Sequence, residues 1–229
     1  MTASLTGEVI YRELRRRIVF AELLPGSEID LDEYAQEFHS SRTPVRDALR
    51  HLSHDGLVDV QPRSGCRVSR VSMKDLIDAL DVREATGPAT SRLAAVRATP
   101  AEIDELQAIA EGGYAGASDV RSILSASHLF HCRVAKLSHN RRLHEITEHV
   151  LEDLERIMRL CGETPLESGP PMEDHRRLLE AFRARDAEAA AELDLAHIRR
   201  GRARLIELAT STLALFDSPG AEPVRPREA

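Results

Sequence analysis

Residues 41–46 read Ser-Arg-Thr-Pro-Val-Arg, and this stretch decides how the N-terminal third of the chain folds. Ser41 suits an N-cap position, and Pro44 is tolerated in a first helical turn. The apolar residues that follow recur at helical spacing until Gly56, and they are Val45, Leu49 and Leu52. The spacing therefore predicts a helix that begins after Ser41 and carries cationic side chains in its first turn.

Two helices are predicted before this one and a hairpin after it. Helical spacing of apolar residues predicts a helix from Gly7 to Leu23, and Asp30 suits the N-cap of a second helix over Leu31–Phe38. Alternating apolar and polar residues predict strands at Leu57–Val60 and Cys66–Val71, joined by a basic tip. Three helices and such a hairpin are typical of a winged helix-turn-helix, a DNA-binding fold.

The rest of the chain shows no convincing strand pattern. Turn signals divide it into six predicted helices, at residues 74–97, 100–112, 119–138, 140–161, 170–184 and 186–216. The predicted fold class is therefore mainly α, a winged helix-turn-helix followed by an all-α bundle. The predicted domains are residues 1–72 for DNA binding, 73–217 for ligand binding and dimerisation, and 218–229 as a disordered tail.

Composition narrows the class of protein further. The sequence of 229 residues has a net charge of −7, but residues 38–70 contain six arginines and three aspartates, a local charge of +3. DNA contact is expected there. No run of 18 apolar residues and no secretory leader occur, so a cytoplasmic protein without membrane association is expected. The three cysteines lack metal-like spacing and are expected to be small apolar core residues.

The candidate DNA-contacting side chains lie in the first turn of the third helix and in the wing. Arg42 and Arg46, four residues apart, project from one face, where each can donate two hydrogen bonds to guanine. Hydroxyls beside the unpaired amides of a helix N-terminus suit phosphate contacts, and a basic wing tip reaches phosphate or the minor groove. The predicted set is Ser41, Arg42, Thr43, Arg46, Arg63 and Gly65.

This region resembles the GntR family of bacterial regulators. The similar residues are LRRRIVFAELLPGSEIDLDEYAQEF and SRTPVRDALRHLSHDGLVDVQPRSGCRV, which cover most of the first 70 positions. The resemblance implies that Arg42, Thr43, Arg46 and Gly65 belong to the DNA-contacting set. Symmetric helix-turn-helix proteins place two recognition helices about one DNA turn apart, so a homodimer on a near-palindromic operator in double-stranded DNA is expected.

Three histidines fall on the core-facing stripes of three separate predicted helices. They are His131, His175 and His197, whereas His144 and His149 fall off their helix's apolar stripe and are expected at the surface. Neutral imidazoles that converge from separate helices can bind a divalent metal such as zinc or nickel. Three unrelated core histidines remain the alternative.

Residues 74–216 are similar to the all-helical effector (FCD-type) domain of the FadR-like branch of this family. The similar pieces are VREATGPATSRLAAVRAT, SHLFHCRVAKLSHNRRL and EDHRRLLEAFRARDAEAAAELDLAHI. The resemblance implies a metal site of one Asp and three His, but Ser127 stands at the Asp position. Three hypotheses stay open: three His plus water, recruitment of His128, or no metal. Thr86-Gly87-Pro88 also replaces the usual Leu-Glu and is expected to bend or loosen its helix.

The function predicted from these features is a ligand-responsive transcriptional regulator, a repressor and not an enzyme. An effector of small carboxylate type is expected in the helical domain, with Arg83, Arg121 and Arg133 as anion partners and Ser127 and His128 nearby. Two alternatives from other classes remain: a metal-dependent hydrolase, for which no acid lies on the histidine stripes, and a helical protein-interaction module.

Overall fold

The computed structural model describes residues 6–61, 65–115, 120–161 and 172–216. The chain divides into two compact units, one of which contains the residues up to Ser72 and those from Leu213 onward, whereas the other runs from Met73 to Thr212. The predictions for Arg63 and for the tail after Phe216 lie outside the described residues.

The N-terminal unit consists of three helices and a small sheet. Its elements are α1 (Gly7–Val19), β1 (Glu28–Ile29), α2 (Leu31–Glu37), α3 (Arg42–His54), β2 (Val58–Gln61) and β3 (Gly65–Val68). Buried side chains from all three helices and the sheet form one core, which includes Ile10, Leu14, Val45, Leu52 and Val68. This is the predicted winged helix-turn-helix, with α1 shorter than expected.

Strand β1 is an element that the sequence pattern did not predict. The sheet is antiparallel with the order β1-β3-β2, and Cys66 of β3 lies opposite both Ile29 and Val60. A strand of two residues contains no full period of alternation, so its pairing with β3 alone defines it. Ile29 is 3% exposed and anchors β1 to the core.

The two predicted helix N-caps differ in their hydrogen bonding. Asp30 Oδ1 accepts hydrogen bonds from the backbone amides of Asp32 (2.6 Å) and Glu33 (3.1 Å), so its capping role is confirmed. Ser41 occupies the N-cap position of α3, but its side chain makes no capping hydrogen bond. Ser41 is exposed, and its hydroxyl remains at the helix N-terminus.

The C-terminal unit is entirely helical in the residues described. Its helices are α4 (Met73–Arg97), α5 (Pro100–Ala115), α6 (Val120–Leu137), α7 (Arg141–Leu160), α8 (Met172–Arg183) and α9 (Ala187–Phe216). Each lies within three residues of a predicted segment. Its buried core includes Leu106, Phe130, Leu137 and Phe182. His131 of α6 and His175 of α8 are buried as well.

Helix α4 continues through Thr86-Gly87-Pro88 without interruption. The hydroxyl of Thr86 donates to the carbonyl of Val82 at 2.8 Å. A Cβ atom at Gly87 would lie 2.4 Å from Ile198 Cδ1 and 3.0 Å from Asp194 Oδ2. The missing side chain at position 87 therefore allows Ile198 of α9 to pack closely against α4, and the helix, which was expected to bend or loosen here, is continuous.

Candidate DNA interface and metal centre

The first turn of α3 presents its polar side chains to solvent and its apolar ones to the core. Arg42, Thr43 and Arg46 are exposed, whereas Val45 is fully buried. Arg46 has no ion-pair partner among the described residues. Gly65 begins β3 with a φ of +88°, a conformation that glycine adopts without strain. The exposed turn is thus available to a DNA groove.

Arg42 forms an ion pair that the sequence analysis missed. Its Nε and Nη2 atoms donate to the two carboxylate oxygens of Asp32, in the first turn of α2. Both side chains are more than half exposed. The two residues are ten positions apart, so only the packing of α2 against α3 brings them together.

The C-terminal end of α3 is tied to α1 by a polar cluster. Asp55 accepts a hydrogen bond from the Tyr11 hydroxyl at 2.6 Å and another from Arg15 at 2.6 Å. Arg15 and Asp55 are 14% and 18% exposed in their side chains. The cluster fixes the orientation of α3 within the N-terminal unit.

In the C-terminal unit, His131 of α6, His175 of α8 and His197 of α9 converge. The Nε2 atom of His131 lies 3.1 Å from Nε2 of His197 and 3.2 Å from Nε2 of His175. One ligand atom from each of the three residues lies within 4.8 Å of the others. The predicted convergence is therefore present in the structure.

Two pairs of these nitrogens, His131–His197 and His131–His175, lie at a spacing that metal ligands adopt. Zinc–nitrogen bonds of about 2.0–2.1 Å at tetrahedral or octahedral angles place neighbouring nitrogens roughly 2.8–3.4 Å apart. Burial, followed by the positive charge of Arg83, lowers the pKa of His131 well below its ordinary value. Burial also lowers the pKa of His175. Both imidazoles are therefore neutral at pH 7, the form that binds metals, and the residues fit a divalent ion.

The carboxylate of Asp174 contacts Nδ1 of His197 and orients its imidazole. Asp174 Oδ2 lies 3.1 Å from His197 Nδ1 and 2.7 Å from Arg200 Nη2. A proton on Nδ1 of His197 leaves the lone pair of Nε2 directed at the cluster, as in carboxylate–histidine–metal arrangements. Asp174 could not be predicted from the sequence as a partner of His197, because it lies beside His175 in the chain and contacts His197 only in the fold.

Ser127 and His128 do not complete the cluster. Ser127 is half-buried one turn before His131. The Nε2 atom of His128 lies 3.4 Å from Cys132 Sγ, and His128 is not among the three converging residues. The hypothesis that His128 replaces the missing aspartate is therefore not supported by this geometry. Cys132 is partly buried, and burial raises the pKa of its thiol to about 12.

The three arginines predicted as anion partners have different environments. Arg83 is 5% exposed, and its Nη2 atom lies 3.9 Å from Oδ1 of the equally buried Asp194. The other oxygen of Asp194 accepts a hydrogen bond from Ser91 at 2.8 Å, while Oδ1 has no hydrogen-bond partner in the described residues. Arg133 instead pairs with Glu105. The side chain of Arg121 lies outside the described residues.

Both units match known protein families. Residues 6–68 match the model of the bacterial regulatory proteins of the gntR family, and residues 78–200 match the FCD domain. The chain belongs to the GntR family, with an FCD domain. This GntR-family chain is a helix-turn-helix transcriptional regulator, as the sequence analysis predicted.

Relatives of this GntR regulator align along most of its length. An uncharacterized HTH-type transcriptional regulator, YdhC of Bacillus subtilis, is 28% identical over 193 residues, covering 82% of this chain and 85% of the relative. The galactonate operon transcriptional repressor of Escherichia coli is 24% identical over 230 residues, covering 91% of this chain and all of the relative. These relatives are regulators and not enzymes, so the hydrolase alternative is not supported.

Solved structures share the fold of this GntR regulator. Escherichia coli McbR/YncC superposes with a TM-score of 0.71 at 23% identity, over 88% of this chain and 96% of that protein. A GntR family regulator from Pseudomonas syringae gives 0.54 at 27% identity, over 93% and 90%. No helix in the described part of the chain is long and apolar enough to span a membrane.

Proposed function

We propose that this GntR regulator is a cytoplasmic homodimeric repressor that releases its operator when a small carboxylate-type effector binds the helical domain. The observation that carries the proposal is the convergence of three imidazoles, one of them hydrogen-bonded to Asp174, in the same unit as the buried Arg83. The galactonate operon repressor among its relatives supports an organic-acid effector and a repressing role. Residues 1–72 form the DNA-binding part and residues 73–217 the effector-binding part.

On the DNA side, the exposed first turn of α3 enters the major groove. Arg42 and Arg46 contact bases, while Ser41 and Thr43 contact phosphates through their hydroxyls. Gly65, together with Arg63, brings the wing close to the DNA backbone. A dimer places two such helices about one DNA turn apart, which requires a near-palindromic operator.

In the helical unit, His131, His175 and His197 hold zinc or nickel through their Nε2 atoms. When bound, the ion supplies coordination positions that a carboxylate or hydroxyl oxygen of the effector occupies. Ser127, one turn before His131 on α6, stands where the family resemblance places an aspartate, so this position would supply no carboxylate to the ion.

The effector's remaining groups meet the buried charges of α4 and α9. Arg83 donates hydrogen bonds to a carboxylate of the effector. Its guanidinium lies 3.9 Å from Asp194, which is too far for a hydrogen bond between these two side chains. Asp194 Oδ1, buried and without a hydrogen-bond partner in the described residues, accepts from an effector hydroxyl. A hydroxy acid therefore satisfies both residues, whereas a simple fatty acid satisfies only Arg83.

Selection from a random double-stranded oligonucleotide pool tests the DNA half of the proposal. We expect a near-palindromic consensus, and Arg42→Ala and Arg46→Ala each to cost about 1–3 kcal/mol of specific binding while relaxing one base position per half-site. Arg12→Ala serves as the matched control, because Arg12 is an exposed arginine of α1 paired with Glu8. Unchanged base preference in both α3 variants contradicts the assignment.

Metal analysis after reconstitution with zinc or nickel tests the other half. About one ion per chain is expected, and the His131, His175 and His197 triple alanine variant should bind none. The exposed His149 supplies the control, since His149→Ala leaves the three-histidine cluster intact.

The effector site is tested by titrating the protein–operator complex with two acids, galactonate and hexanoate, and measuring the release of the operator. If galactonate releases the operator from the wild type but not from Arg83→Met, the effector site is supported. If galactonate releases the operator equally from both proteins, the effector site is contradicted.

A further inference from the structure

The ion pair between Asp32 and Arg42 links two helices at the surface proposed to contact DNA. Asp32 Oδ1 and Oδ2 accept from Nε and Nη2 of Arg42, so the carboxylate occupies one complete edge of the guanidinium. A guanidinium has five N–H groups, and the edge formed by Nη1 and Nη2 has the same two-donor geometry. That second edge remains able to donate two parallel hydrogen bonds.

The position of the Asp32 carboxylate is itself constrained by the fold. The backbone amide of Asp32 donates to Asp30 Oδ1 at 2.6 Å, which fixes the first turn of α2. Tyr34 and Phe38 anchor the same segment in the core, at 7% and 6% exposure. Arg42 is therefore held by a partner on a separate, anchored helix. By contrast, Arg46 in the next turn has no ion-pair partner among the residues described.

We propose that Asp32 is a specificity-determining positioning residue, which holds Arg42 so that the free edge of its guanidinium reads a guanine. This inference rests on the proposed base contact of Arg42. The carboxylate offsets the positive charge that would attract Arg42 to any phosphate, because Coulomb attraction follows net charge. It leaves the two directed donors that match O6 and N7 of guanine. Asp32 thus reduces sequence-independent binding by Arg42 and favours one base.

The variants Asp32→Ala and Asp32→Asn test the proposal in the full-length protein, by competition titrations with operators that carry each base at the Arg42 position. We expect discrimination at that position to fall about ten-fold in Asp32→Ala, and less in Asp32→Asn. Affinity for non-operator DNA should rise, and the salt dependence should steepen by about one phosphate contact, because the freed guanidinium turns to the backbone.

Glu33→Gln supplies the matched control, because Glu33 is the next residue, is exposed, and is charged alike. It should leave base discrimination unchanged. In an Arg42→Ala background, Asp32→Ala should have no further effect on discrimination, which separates positioning from a general loss of structure. Circular dichroism and thermal unfolding establish that each variant is folded, and Asp32→Asn, close in shape, carries the test if Asp32→Ala unfolds.

Discrimination that Asp32→Ala leaves unchanged, or increases, overturns the inference, and an increase would identify Asp32 as a competitor of DNA. The two levels of the proposal fail separately. If Arg42→Ala itself keeps full base preference, the proposed role of Arg42 in DNA contact is wrong. If Arg42→Ala loses the preference and Asp32→Ala keeps it, only the positioning role of Asp32 is wrong.

Discussion

Asp174 of α8 lies 3.1 Å from Nδ1 of His197 on α9, on the side of the imidazole opposite the three-histidine cluster. Arg200 Nη2 lies 2.7 Å from the same carboxylate oxygen, Oδ2. Hydrogen bonding by His197, and then by Arg200, lowers the pKa of Asp174 below its ordinary range, so it is ionised at pH 7. An anionic partner at Nδ1 selects the tautomer whose Nε2 faces the cluster.

Asp174→Asn should weaken zinc or nickel binding by about 10- to 100-fold, because groups that hydrogen-bond to the outer nitrogen of metal-bound histidines have effects of that size. Isothermal titration of the metal-free protein measures the change. Glu173→Gln is the control, since Glu173 is exposed and pairs with Arg176 instead. Equal affinities for the wild type and Asp174→Asn would show that this carboxylate does not support a metal site.

Substitution by alanine should lower the protein's stability at one helical glycine, Gly87, and raise it at another, Gly112. Gly87→Ala places a Cβ 2.4 Å from the buried Ile198. The resulting overpacking lowers the free energy of unfolding by about 1–3 kcal/mol, and the higher helix propensity of alanine offsets about 1 kcal/mol of that loss. Gly112→Ala meets nothing within 4 Å, so only the gain remains. Denaturant unfolding of each variant measures both values. Stabilisation by both substitutions would mean that α9 adjusts without cost.

Asp55 should contribute more to the stability of the N-terminal unit than a typical surface residue does. Asp55→Ala removes the acceptor of both Tyr11 and Arg15, so we expect a loss of about 1.5–3 kcal/mol, whereas Tyr11→Phe should cost about 1 kcal/mol. Chemical denaturation measures the losses. Asp47→Ala is the control, because Asp47 is an aspartate of the same helix with a side chain 54% exposed. Operator affinity should fall with Asp55→Ala if the cluster orients α3.

The N-terminal unit should lose part of its stability in acid through Glu13. Hydrogen bonds from Arg16, and then Arg17, lower the pKa of Glu13 from 4.5 to about 2. A lowered native pKa gives stability that is present above the unfolded value and is lost as the pH falls through the native one. The contribution is about 1 kcal/mol or less, because the side chain is 32% exposed and solvent screens it.

Comparison of the wild type with Glu13→Gln at several pH values measures this contribution. The wild type should be the more stable at about pH 6, and the difference should shrink steadily as the pH approaches about 2. Hydrogen exchange of the α1 amides reports on this unit specifically. Glu8→Gln, at 62% exposure, is the control for loss of a surface carboxylate. A difference independent of pH would show that the effect is not electrostatic.

Local patterns predicted the helices of this protein well. The start of α3 after Ser41 follows from a capping position and an apolar stripe, and the stripes of α6, α8 and α9 already turned His131, His175 and His197 inward. Such features depend on residues three or four positions apart, which a helix places on one face whatever it packs against. The family resemblance added the expectation that the inward histidines meet at a metal.

Partners that are distant in the chain depended on the tertiary structure. Sequence periodicity gave no sign that Asp32 pairs with Arg42, that Asp174 backs His197, or that Asp194 lies beside Arg83. It also suggested a disturbed helix at Gly87, where α4 instead continues and admits Ile198. Periodicity determines which face of its own helix a residue occupies. Which neighbour meets that face depends on how the helices pack, and the packing is set by the shapes of many side chains together.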